Sequence, residues 1–113
     1  MRETLNVAIM AQFLDQIIKG AKDTEYRAMS DYWMRKLVDV GKYGEGLDEA
    51  ELRDAITKDK EVAFRPYKKI RFHCGERKLE KEIKGIRVYP SHGWFAIKLG
   101  RTLPLPTGTG RPR

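Results

Sequence analysis

Cysteine occurs once in the 113 residues, at Cys74, which excludes an internal disulfide and leaves stability to the apolar core. Histidine occurs only at His73 and His92, and no second pair stands at metal-ligand spacing. His73 and Cys74 are neighbours and diverge on a strand, so neither a metal nor a cofactor is expected. No apolar run approaches the ~20 residues that cross a bilayer, so no membrane-spanning segment is expected. Residues 1–6 carry an early acid, Glu3, and lack an apolar stretch ending in a small-residue cleavage site, so they do not read as a secretion signal. With the single cysteine, this points to a reducing, cytoplasmic setting. Acid is scarce in the second half: residues 61–113 hold 13 Lys and Arg against 4 Asp and Glu, whereas residues 1–60 hold 10 against 12. The net charge of +7 therefore comes from the C-terminal half. Such a surplus favours a polyanionic partner, because neutralising phosphates releases counterions; the competing reading is basic surface that serves solubility alone.

What is present fits one small α+β domain of about a hundred residues. Leu5, Val7 and Ile9 alternate as in a short strand, and Met10, Phe13, Leu14, Ile17 and Ile18 then recur at helical spacing. Gly20 stops that helix, and residues 24–27 continue as a strand with Glu25 and Arg27 on one face and Thr24 and Tyr26 on the other. Ser30 and Asp31 cap a second helix through Trp33, Met34, Leu37 and Val38. Three glycines within residues 41–46 predict a mobile surface loop. Residues 47–60 then read as a polar helix with a thin apolar stripe, an insertion spanning about 44–60 that is peripheral to fold and site. Its acidic first turn would repel a polyanion.

Residues 67–74 alternate cleanly, with Ile70, Phe72 and Cys74 on one face and the basic row Lys69, Arg71 and His73 on the other. Residues 79–89 return as a strand, with Gly85 as the place for a bulge. A turn at 90–93 leads into a last strand ending near Gly100, with Phe95, Ile97 and Leu99 inward. Residues 104–113, rich in Pro, Gly and Arg, read as a disordered basic tail.

The series Gly20-x-Lys22-x-x-Glu25-Tyr26-Arg27, Tyr32-Trp33, Pro66-Tyr67 before Ile70-Arg71-Phe72 and Gly75, Glu82-Ile83-Lys84-Gly85-Ile86, and Phe95-x-Ile97-x-Leu99-Gly100 resembles the ASCH family over residues 5–103. The resemblance assigns residues 1–103 to one ASCH domain. It implies a small PUA-like β-barrel with helices packed over its ends, and a cleft floored by the Gly-x-Lys-x-x-Glu-x-Arg signature that takes RNA or nucleotides. Lys22, Lys69, Arg71 and Arg87 would then meet phosphates and Glu25 a base edge, while Tyr26, Tyr32 or Trp33 would stack a base beside Arg27 and His73. Some members of the family are hydrolases: amidohydrolases acting on acetylated cytidine, or proteins associated with ribonuclease activity. The amidohydrolases place a threonine three residues after the lysine, where this chain has Glu25. A ribonuclease would draw its acid, base and charge stabiliser from Lys22, Glu25, His73 and Arg71. The alternatives for these residues are a structural Glu25–Arg27 ion pair and a surface histidine at 73. An accessory factor that binds protein through the acidic helix is a third class. The oligomeric state is not legible in the sequence.

Overall fold

The computed structural model describes residues 4–105. The disorder expected of the basic tail from residue 106 onward lies outside them. The α+β class is as expected: three α-helices accompany five strands in one mixed sheet of order β1-β3-β4-β5-β2. The strands are β1 (Thr4–Ala8), β2 (Thr24–Ala28), β3 (Lys69–Cys74), β4 (Arg77–Tyr89) and β5 (Trp94–Leu103), and the helices are α1 (Ala11–Ile18), α2 (Asp31–Leu37) and α3 (Glu49–Lys58). The chain groups into two compact units. One takes in the chain up to Glu25, Tyr67–Gly85 and the residues from Lys98 onward; the other holds Tyr26–Pro66 and Ile86–Ile97.

In the first unit the period of two sets the core. β1 runs parallel to β3, pairing Leu5 with Ile70 and Val7 with Phe72, and all four side chains are buried. α1 packs on β3, and its Leu14 and Ile17, one turn apart, are both buried. The apolar stripe is narrower than its sequence suggests, since Met10 and Ile18 remain 60% and 55% exposed. Gly20, at φ +81°, ends the helix in the left-handed conformation that its lack of a Cβ permits. β3 turns at residues 75–76 into antiparallel β4, which begins at Arg77 rather than at residue 79 and runs without a break through Gly85. β5 likewise continues past Gly100 to Leu103. A Cβ at Gly100 would stand 2.5 Å from Glu82 Oε1, so glycine is needed there for the close approach of β4.

In the second unit the Ser30 hydroxyl accepts the Trp33 N–H at 3.3 Å and caps α2, whose Met34 and Leu37 are buried together with Val38. α3 opens on a capping box: Asp48 accepts from the Glu51 N–H at 2.8 Å, and Glu51 accepts from the Asp48 N–H at 2.9 Å. The expectation of a peripheral helix fails here. Leu52 and Ile56 are 1% and 0% exposed, α3 packs against α2, and the Arg53 guanidinium donates to the Met29 carbonyl. A stripe only two residues wide thus seals a core rather than resting on it.

The glycine-rich stretch is also less free than its composition suggests. It begins with a 3-10 turn, Val40–Lys42. The Lys42 ammonium donates to Asp59 Oδ2 and to the Glu61 carbonyl, both at 2.7 Å, and the Tyr43 hydroxyl donates to the same Asp59 oxygen at 2.6 Å. Lys42 foremost, with Tyr43, holds the Asp59 carboxyl down at about 2, while burial and the Asp59 charge push the Tyr43 hydroxyl above its ordinary value. A depressed carboxyl contributes stability that is full above its unfolded value, near 3.8, and is lost as pH falls through about 2. Thermal unfolding between pH 5 and pH 2 is therefore expected to lose less stability in Asp59→Asn than in the wild type, with the Asn variant less stable at neutral pH. Parallel acid profiles of the two proteins would contradict this clasp.

Candidate functional site

The signature residues are held by the start of β2 and its neighbours. Lys98 on β5 donates to Asp23 Oδ2 at 2.8 Å and draws the exposed Asp23 carboxyl below its usual range; the Leu99 N–H binds the Asp23 carbonyl at 2.9 Å. This fixes the turn that delivers Lys22 and Glu25. Glu25 is 3% exposed, and Lys22 Nζ lies 2.7 Å from its Oε1 and 5.0 Å from the centroid of the Phe13 ring on α1. The lysine side chain keeps 22% of its surface. A carboxylate withdrawn from water and a lysine beside it form a charge pair that burial makes stronger than it would be in bulk water, and the Lys22 side chain is less exposed than those of Lys69 and Arg71.

The basic row on β3 is committed differently from its sequence reading. The register opposes Arg71 to Glu80, which is 1% exposed. Arg71 donates from Nε to Glu80 Oε2 at 2.6 Å and reaches the same oxygen from Nη2 at 2.5 Å, while Lys69 Nζ stands 3.3 Å from Oε1. Both permanent cations of the row therefore neutralise a buried carboxylate. Their side chains remain about one third exposed, so only their outer edges meet solvent. His73 is half-buried, and its carbonyl accepts the Ile9 N–H at 3.0 Å.

Tyr26, Arg27, Tyr32, Trp33 and Arg87 belong to the second unit. The Arg27 guanidinium lies over the Trp33 ring at 5.2 Å, and Tyr32, 60% exposed, meets Trp33 edge-on at 5.2 Å. Trp33 is half-buried, and its ring is engaged by these two neighbours. Arg87 is exposed and lines an open groove of about 410 Å³ whose walls include Asp59, Glu61, Val62, Phe64 and Tyr89.

Residues that sequence reasoning did not select complete the picture. Glu80 is one. Another set is aromatic and adds Trp94, His92 and Tyr89 to the already selected Tyr26: Tyr26 meets Trp94 at 5.6 Å, Trp94 stacks on His92 at 5.1 Å with 15° between the planes, and His92 faces Tyr89 at 6.3 Å. The outward alternation of β5 marks Trp94, but nothing in the sequence joins it to Tyr26. Among the described residues no helix is long and apolar enough to cross a membrane, and no group of three or more His, Cys, Asp or Glu is placed to hold a metal ion. No protein-family model, curated protein or solved structure matches the chain.

Proposed function

We propose that this chain is an ASCH protein with a PUA-like barrel, and that it binds RNA or a nucleotide through Lys22 and Glu25 of the Gly-x-Lys-x-x-Glu-x-Arg signature. The observation that carries this is the Lys22–Glu25 pair, with its 2.7 Å contact, its buried carboxylate and a lysine side chain that keeps 22% of its surface. Lys22 supplies charge to a phosphate, and Glu25 accepts hydrogen bonds from a base edge, which is how phosphate contacts position a ligand while base contacts select it. The basic surplus of residues 61–113 adds long-range attraction for the polyanion.

Lys22→Met tests the assignment, because methionine keeps a long side chain against Phe13 and removes the charge. Because the change also leaves buried Glu25 without Lys22, binding is measured below the variant's own unfolding transition. There RNA retention is expected to fall, and the log-log salt dependence to flatten by about 0.7 for each single-strand phosphate that is no longer neutralised. Glu25→Gln should alter the preference among bases more than the salt slope. An unchanged affinity and slope in Lys22→Met, measured while that variant is folded, would remove the site from residues 20–27. Conversion of RNA or a modified nucleoside to product, abolished in Lys22→Met, would replace the binding role with a hydrolase.

A further inference from the structure

We infer that Tyr26, Trp94, His92 and Tyr89 form a stacking platform for the unpaired bases of single-stranded RNA. The choice of RNA rests on the function proposed above, but the residues, Tyr26 apart, are separate from it. The four rings make a chain of neighbours at 5.6, 5.1 and 6.3 Å. Tyr26, Trp94 and Tyr89 nevertheless keep 54%, 39% and 39% of their surface in water, and His92 is also exposed. Rings ordered against one another and left open to solvent offer π surface at little further entropic cost, and every base has a complementary face.

Charge selects the occupant. The segment Ile86–Ile97, which carries three of the rings, contains Arg87 and no acidic residue. Arg87 stands two residues from Tyr89 on β4, and both are exposed, so by the period of two they share the outward face. A cation flanking bare aromatic rings suits a phosphate chain threaded past stacked bases. The groove beside Tyr89 is lined by Asp59 and Glu61 but also by Lys60 and Arg87, and Lys42 pairs with Asp59, so acid and base balance along it.

A short fluorescein-labelled oligouridine, with the same RNA annealed into a duplex, tests the platform by anisotropy on the full chain. Trp94→Ala and Tyr89→Ala should each weaken oligouridine binding about tenfold or more while leaving its salt slope unchanged, because the rings carry no charge; duplex binding should hardly change. In the wild type, 4-thiouridine in the same oligomer should crosslink within residues 86–97. That readout stands even where a variant folds poorly. Binding that survives both substitutions, or crosslinks confined to other segments, would overturn the platform while leaving the Lys22–Glu25 site in place. Loss of binding in Trp94→Ala but not in Lys22→Met would support the platform and defeat that site. A wild type that retains no oligouridine would overturn the platform, as would one that self-associates through these rings in place of binding.

Discussion

Removing both cations from Glu80, as Lys69→Ala with Arg71→Ala, is expected to destabilise the protein by about 3–5 kcal/mol. The cost lies in what remains. Glu80 is 1% exposed, and its carboxylate would be left in the sheet without the two charges now at 2.5 to 3.3 Å. Adding Glu80→Leu should recover most of the loss, since a buried ion pair replaced by apolar side chains of similar size is often neutral or better. Urea unfolding of the double and triple variants measures both effects. Equal midpoints for the double variant and the wild type would mean that the carboxylate reaches water. The same substitutions would be a natural choice for testing phosphate binding on the basic row, and weakened RNA binding in them would report damaged structure.

Ile56→Ala and Leu52→Ala are each expected to cost about 2–5 kcal/mol, the usual penalty for a large-to-small change at a sealed core position. Both residues lie on α3 and are essentially fully buried. Replacing residues 47–60 with a short linker should accordingly abolish cooperative unfolding of the second unit, because Leu52, Ile56 and the Arg53 bond to the Met29 carbonyl would go together. A deletion variant that still unfolds in one sharp transition would restore the view of this helix as an appendage.

These two cases show what a single sequence discloses. The period of two identifies Leu5, Val7, Ile70, Phe72, Phe95, Ile97 and Leu99 as core residues, and these are buried, because strand alternation is a local rule that needs no partner; Ile9 and Cys74, which end two of the same alternations, are only half-buried. The cap at Ser30 and the stop at Gly20 are legible for the same reason. Burial of α3 is not, since the depth of a two-residue stripe is decided by the walls it meets. Strand ends depart from their sequence limits where pairing carries the chain onward, as at Arg77 and past Gly100 to Leu103.

The candidate site follows the same division. Strand alternation pairs Glu25 with Arg27, whereas the Lys22 ammonium, three residues back across the turn, stands 2.7 Å from the Glu25 carboxylate, a contact that alternation does not disclose. Glu80 is within reach: counting back from the tight turn at residues 75–76 opposes it to Arg71. The aromatic chain is not, because Tyr26 and Trp94 lie far apart in sequence and meet only through the fold.

The central claim, ligand capture by residues 20–27, is tested most directly by exposing the purified protein to labelled single-stranded RNA and to free nucleosides across a salt series, with retention and product recorded together. The account predicts retained, chemically intact RNA whose affinity falls as salt rises, with a shallower slope in Lys22→Met, and no such salt dependence for the phosphate-free nucleosides. Absence of retention at every salt concentration, for RNA and nucleosides alike, would contradict it.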